Sequence, residues 1–365
     1  MDVFQMMGRH DHEQVVFCNE SEFGLKAIIA IHDTTLGPSL GGCRFYPYES
    51  DEEGLQDVLR LSRGMTYKAS IAGLNLGGGK SVIFGNPDTD KNEYLFRAFG
   101  RFVDGLGGRY ITAEDVNTTV RDMEWVRMET QCVTGISRAL GGSGDPSPVT
   151  AFGVFVGIKA ALKTKLGTES LDGVKVAVQG VGHVGHNLCR YLHDAGAELF
   201  ISDINTASVD RVVAEFDATA LDGDQIHALE VDVFAPCALG AVLNDKTIPE
   251  IKASIVGGAA NNQLASSKVH GAALLKRNIL YAPDYAINSG GLINVANELE
   301  GYNRERAFKQ AEGIYDTLME VFKMSADEGI PTNEASDRLA ENRILSVAKF
   351  KTFYTNTSRR VFKRR

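Results

Sequence analysis

The chain has 365 residues, 44% of them hydrophobic and 23% charged, which is enough for two domains with cores of their own. Its net charge of −9 argues against a nucleic-acid surface, and no apolar run approaches the length of a membrane span. The five cysteines (Cys18, Cys43, Cys132, Cys189, Cys237) are scattered and never spaced C-x-x-C, and no basic, then apolar, leader opens the chain. Reduced thiols in a cytoplasm fit better than a disulfide frame, and the eight histidines show no ligand spacing, so no metal is expected.

Residues 26–31 (KAIIAI) read as a strand. Ser50, with Glu53 three residues on, forms a capping box that opens a helix with Leu55, Val58 and Leu59 on one face and Lys68 near its C-terminal end. Residues 74–80 (LNLGGGK) follow as a glycine-rich loop, with Lys80 at the entrance of a strand over 81–84 (SVIF). Two ammonium groups in a partly dry site depress each other's pKa, which would make one of Lys68 and Lys80 a base near neutral pH. Such a pair also offers positive charge to a substrate carboxylate; the bland alternative is two solvated lysines. Residues 91–106 form an amphipathic helix with Leu95, Phe96, Phe99, Phe102 and Val103 inside. The run 110–118 (YITAEDVNT) carries carboxylates to the end of an apolar strand. Asp115 suits a proton carrier and Glu114 competes with it; spacing alone does not choose.

Residues 141–148 (GGSGDPSP) are dense in glycine and proline and read as an interdomain hinge, with a helix following over 149–164. Beyond residue 174 short apolar strands (174–179, 198–202, 231–235, 254–257, 279–282) alternate with helices, which implies a parallel sheet covered on both faces. Gly180-Val181-Gly182-His183-Val184-Gly185 follows the first of these strands and opens a helix expected from Asn187 onward. Gly180 permits the tight turn, Gly182 lets a pyrophosphate approach, and Gly185 allows close helix–strand packing, with the helix N-terminus facing the phosphates. Asp203 ends the next strand, where a carboxylate accepts from the adenosine ribose hydroxyls and repels a 2′-phosphate, so NAD is expected over NADP. Its competing reading is a helix cap, shared with Asn205. Later strand ends carry small or polar residues (Ala235, Pro236, Cys237, Ala238, Ala259, Asn261, Asn262, Asn288), which leave room for a flat nicotinamide or serve only as turns. Long helices are expected over 303–328 and 334–348, and the basic end, 359–365, reads as a solvated or subunit-contact tail.

Gly37-Pro38-Ser39-Leu40-Gly41-Gly42-Cys43-Arg44, Lys68, Gly77-Gly78-Gly79-Lys80, Thr112-Ala113-Glu114-Asp115, the 141–148 run and the 180–185 fingerprint together resemble the Glu/Leu/Phe/Val amino-acid dehydrogenases over essentially the whole chain. The run from Ala282 through Arg306 is similar to the leucine branch of that family. The resemblance implies two α/β domains separated by a cleft: a mixed α/β substrate-binding and oligomerisation domain (1–140 with about 330–365), the 141–148 hinge, and an NAD-binding Rossmann domain (149–330). It implies that Lys68 binds the substrate carboxylate, Lys80 acts as base toward water and Asp115 moves the amine proton. It further implies a substrate pocket that includes Leu40, Gly41, Gly42, Met65, Ala113, Asn262 and Val295. The cofactor site would draw on Thr150, residues 180–185, Asp203 and the strand ends above. A large homo-oligomer, an octamer, is implied as well. Gly79, where relatives carry a small side chain, is expected to loosen the loop.

Leu40 and Val295 align with the lysine and serine that hold the side-chain carboxylate in glutamate-specific relatives. Apolar walls would strip that carboxylate of water without a partner, so branched aliphatic L-amino acids are expected, with ammonia and a 2-oxo acid as products. Phenylalanine or glutamate specificity, a non-catalytic NAD-binding regulator and a 2-hydroxy-acid dehydrogenase are the alternatives.

Overall fold

The computed structural model describes residues 2–223, 225–238 and 240–350; the basic tail 359–365 lies outside them. The chain forms two units, one of Met1–Asp145, Val295–Asn303 and Ala340–Arg365, the other of Pro146–Asn294 and Arg304–Leu339. Three boundaries differ from the expected ones. Residues 141–145 stay with the first unit, Val295–Asn303 returns to it, and its last segment starts at Ala340 rather than near 330.

The first unit is built on a five-stranded sheet of β1 (Gln14–Glu20), β2 (Leu25–Asp33), β3 (Ser39–Tyr46), β4 (Gly77–Phe84) and β5 (Tyr110–Glu114), in the order β1-β2-β4-β3-β5. β1 and β2 are antiparallel, as are β2 and β4, whereas β3 runs parallel to both β4 and β5. Parallel neighbours need crossovers, and the helices Asp51–Ile71 and Glu93–Asp104 supply them. The first buries Leu55, Val58 and Leu59 against Ile28, Ala30 and Val82. The second buries Leu95, Phe96, Phe99 and Val103 and leaves Phe102 half-exposed. Ser50 caps the first helix by accepting from the Glu53 amide, but the Glu53 carboxylate accepts from the amide of Glu49, one residue short of a reciprocal capping box.

The second unit holds a six-stranded parallel sheet: β6 (Lys175–Gln179), β7 (Glu198–Ser202), β8 (Thr219–Ala220), β9 (Val233–Pro236), β10 (Ile255–Val256) and β11 (Leu280–Tyr281), in the order β11-β10-β9-β6-β7-β8. All pairings are parallel. β8, two exposed residues at the sheet edge, gives no hydrophobic signal in sequence. The helix Ser147–Leu166 starts two residues earlier than expected, and the single helix expected over 303–328 is two, Arg304–Glu312 and Ile314–Glu328, parted at Gly313. Glycine there removes side-chain contacts that would hold the turn.

Candidate active site

Gly77, Gly78 and Gly79 are not a loop; they are the first three residues of β4, so Lys80 is the fourth residue of a central strand, opposite Ala30 on β2. The reason is packing. A Cβ on Gly78 would overlap the backbone nitrogen and hydroxyl of Thr66 on the Asp51–Ile71 helix, and one on Gly41 would overlap the carbonyl of Gly79. At Gly42 a Cβ would sit 2.5 Å from the Glu114 carbonyl oxygen and 2.8 Å from the Asp115 Cβ. These glycines let the helix and β3, β4 and β5 approach more closely than side chains allow. Gly79 therefore loosens nothing: its missing Cβ would lie 2.6 Å from the ring of Tyr110, which is fully buried. The same approach sets the register Gly42↔Ala113 and Leu40↔Gly78. Met65 and Lys68, both half-buried, lie in the last two turns of the helix.

Lys80, with its side chain 6% exposed, places Nζ 2.8 Å from Asp115 Oδ1. The near charge in this pair is a carboxylate. Of the two carboxylates left open by spacing, Asp115 is the one that pairs with Lys80. Its amide donates to the Thr118 hydroxyl (2.8 Å), which donates to the Cys43 carbonyl (2.9 Å), so the turn after β5 is tied to β3. Burial pushes the Asp115 carboxyl up, but Lys80 and Arg44 outweigh it and hold the pKa at about 2. Glu114 is raised instead, by burial and by the nearby carboxylates Asp145, Glu298 and Asp122.

Arg44 closes the glycine-rich motif, and the motif alone gives it no role. Its Nε donates to Asp115 Oδ2 (3.0 Å) and its Nη1 to Asp57 Oδ2 (2.8 Å), while Asp57 also accepts from the Tyr48 hydroxyl (2.7 Å) and Arg60 (2.9 Å). The sequence signal for it is a charged residue continuing an apolar strand; Asp57, in an acidic helix, resembles any solvated position. Leu40 and Ala113 are buried, and Val295 is half-buried at the end of the helix Gly290–Ala296. These three belong to the first unit, whereas Asn262, exposed with φ 52°, belongs to the second.

In the second unit the cofactor candidates gather at the carboxyl ends of the parallel strands, where ligands of open α/β sheets bind. Gly180 follows β6 with φ 97°, and a Cβ there would lie 2.8 Å from Ala238. A Cβ on Gly185 would overlap the Gly180 carbonyl, so the helix packs against the turn itself. Gly182 faces open space and carries no side-chain cap, and the helix starts at His183 rather than Asn187, with Val184 in its first turn. A phosphate can approach such an uncapped helix end, where the first amides lack intrahelical partners. Asp203 follows β7 and accepts from the amides of Val181 (2.7 Å) and Asn205 (2.9 Å). The helix-cap role falls to Asn205, which accepts from the Ser208 amide; each Asp203 oxygen keeps a lone pair for a ribose hydroxyl. Pro236 ends β9, the Cys237 amide donates to the Gln179 carbonyl (2.7 Å), and burial pushes the Cys237 thiol up to about 12. Asn288, at the C-terminal end of the helix Asp284–Ile287, donates to the Ala259 carbonyl (2.9 Å) and to Asn261 Oδ1 (2.8 Å), joining that helix to the segment after β10. Thr150 donates to the Pro146 carbonyl at the start of its helix. The site fits a dinucleotide: an open glycine at the helix N-terminus, a carboxylate at the next strand end, and small residues beyond.

Among the described residues no group of histidine, cysteine, aspartate and glutamate side chains could hold a metal ion, and no helix is long and apolar enough to cross a membrane. All five cysteines are free.

Residues 12–132 match the Glu/Leu/Phe/Val dehydrogenase dimerisation domain, and residues 141–210 and 199–352 match the Glutamate/Leucine/Phenylalanine/Valine dehydrogenase model. The leucine dehydrogenase of Bacillus subtilis is 56% identical over the whole of both chains. The L-tryptophan dehydrogenase of Nostoc punctiforme is 51% identical over 96% of this chain and 99% of its own. A crystal structure of L-tryptophan dehydrogenase from Nostoc punctiforme aligns with a TM-score of 0.86 at 50% identity, covering 95% of this chain and 99% of that one. Two glycine-built sites, one holding a buried Lys80–Asp115 pair and the other a dinucleotide fingerprint, go with these full-length matches, and the chain belongs to the Glu/Leu/Phe/Val dehydrogenase family of NAD-dependent amino-acid dehydrogenases.

Proposed function

We propose that the chain catalyses reversible oxidative deamination of L-leucine, and of valine and isoleucine, with NAD: amino acid, water and NAD⁺ give 2-oxo acid, ammonium, NADH and a proton. The 2.8 Å pair of Lys80 with Asp115 carries the reading, because it joins a candidate base to an ionised carboxylate in one contact. Lys68 binds the substrate carboxylate. Asp115 takes a proton from the substrate ammonium, leaving the amine lone pair free to drive out the Cα hydride. NAD, held by residues 180–185 and Asp203, supplies the hydride acceptor. Lys80 removes a proton from the water that attacks the imine carbon and releases it to solvent; Asp115 then returns its proton to nitrogen, and Lys80 takes the hydroxyl proton as the carbinolamine collapses to the 2-oxo acid and ammonia leaves. Leu40, Ala113 and Val295 form an apolar wall, and likeness to leucine dehydrogenase over the full chain supports the aliphatic choice. The 2′-phosphate of NADP would meet the Asp203 carboxylate, which favours NAD.

NADH formation with leucine, valine, isoleucine, glutamate, phenylalanine and tryptophan in parallel, repeated with NADP, tests this. Faster turnover of the aliphatic three with NAD is expected. Preference for glutamate would overturn the apolar wall; preference for tryptophan or phenylalanine would assign the chain to the aromatic branch. NAD binding without any turnover would favour a regulator. A homo-oligomer of eight chains in a cytoplasm goes with this reading, supported by the match to a dimerisation domain and by five free thiols. Light scattering in solution checks the oligomer, and a smaller mass rejects the octamer.

A further inference from the structure

The Asp115 carboxylate is divided between two cations of different kind. Lys80 holds Oδ1, and Arg44 holds Oδ2. A lysine that acts as a base must spend part of each cycle neutral, and in that interval it no longer fixes a carboxylate electrostatically. A guanidinium does not give up its proton in a protein, and its planar fork sets direction as well as charge. Arg44 is in turn fixed from behind. Asp57 takes its Nη1, and Asp57 is itself held by Tyr48 and Arg60, so the guanidinium is braced between two carboxylates 2.8 and 3.0 Å away. Arg44, Tyr48, Asp57 and Arg60 also line a 380 Å³ cavity.

We propose that Arg44 is a positioning residue for the deamination step: braced by Asp57, it keeps the Asp115 carboxylate ionised and aimed while Lys80 passes through its neutral form. The proposal rests on Asp115 being the proton carrier. Arg44 acts through that carboxylate and touches no substrate atom. Losing it would leave Asp115 with one cation in place of two, so the carboxyl would bind a proton at higher pH and turn more freely about its side-chain bonds.

The test compares Arg44→Gln, Arg44→Lys, Asp57→Asn, Asp115→Asn and the Arg44→Gln/Asp115→Asn double variant, with leucine and NAD, against thermal unfolding and NAD affinity. Arg44→Gln should lower kcat by about tenfold or more with the KM for NAD unchanged. The acid limb of its kcat/KM profile should move up by about one pH unit or more, the effect of removing one neighbouring cation. Arg44→Lys should recover part of the loss. Asp57→Asn, which leaves the guanidinium charged but held from one side only, should lower kcat by less, and it carries the test if Arg44→Gln is insoluble. In the Asp115→Asn background, Arg44→Gln should cost almost nothing further. An unshifted profile, or an equal loss in that background, overturns the role of Arg44 while leaving Asp115 in place. Parental turnover in Asp115→Asn alone would remove Asp115 as proton carrier, and the Arg44 role with it.

Discussion

Gly77-Gly78-Gly79 of the first unit and Gly180-Val181-Gly182 of the other are interchangeable as sequence, yet the space around them is opposite. At Gly78 an added Cβ would overlap Thr66 backbone; at Gly182 it would meet nothing within 4 Å. The former cluster is extended strand, used so that protein can touch protein. The latter is a turn, entered at φ 97° by Gly180, used so that something other than protein can approach. A glycine run therefore does not by itself mean a loop or a ligand; which neighbour takes the missing Cβ volume decides.

Substitution breaks or sharpens this contrast, in order of expected size. Gly78→Ala must displace helix backbone, so a loss of about 3 kcal/mol or more is expected, at the top of the range for overpacked cores, read by soluble yield and thermal unfolding. A parental melting temperature would refute the packing account. The histidines supply another contrast. His32 is buried under the same helix, bonded through Nδ1 to Thr66 (2.8 Å) and through Nε2 to the His10 carbonyl (2.9 Å), with the His12 ring 4.7 Å away. Burial, then His12 and Arg63, lower its pKa from 6.5 to about 3. The fold favours the neutral ring, so between pH 6.5 and about 3 the unfolded chain binds the extra proton. Stability from this group is full above that window and falls as pH drops through it, by about 1.4 kcal/mol per pH unit. In the second unit His186, His227 and His270 instead face carboxylates. His32→Asn should flatten the pH dependence of melting below pH 6.5; an unchanged slope counts against the buried ring.

Gly79→Ala meets a ring and a hydroxyl rather than backbone, so about 1–2 kcal/mol is expected, checked by denaturant midpoint. Gly182→Ala should be smallest for the fold, within about 0.5 kcal/mol, as for other surface changes. It should still weaken NAD binding by about tenfold, or roughly 1.4 kcal/mol. Unchanged NAD affinity would mean that the open face of Gly182 is not where the dinucleotide approaches.

Much of the six-stranded sheet is legible in sequence because buried parallel strands spell continuous apolar runs and the fingerprint sits between a strand and a helix. β8 is not, since Thr219 and Ala220 are exposed and paired only at the edge. In the first unit Lys68, Lys80 and Asp115 stand out by residue type and surroundings. Their electrical relation does not: Asp115 lies 35 residues beyond Lys80, and only the register of β3, β4 and β5 brings the two together. Asp57 and Tyr48 are hidden for the same reason, being ordinary until Arg44 is seen between two carboxylates. The return of Val295–Asn303 to the first unit has no local signal, because ownership of a segment is set by distant packing.

The late return of the chain bears on how the protein is made. The helix that carries Lys68 is fastened at its C-terminal end by residues near the end of the chain: Ser70 donates to the Ala340 carbonyl (2.8 Å), Tyr67 to Glu341 (2.6 Å), and Arg343 to the Leu74 carbonyl (2.7 Å). During synthesis the six-stranded sheet, closed within residues 175–281, is complete before those partners leave the ribosome. The unit whose synthesis starts first thus waits on a segment made after the sheet, and until residues 340–343 emerge the end of the Lys68 helix lacks these partners.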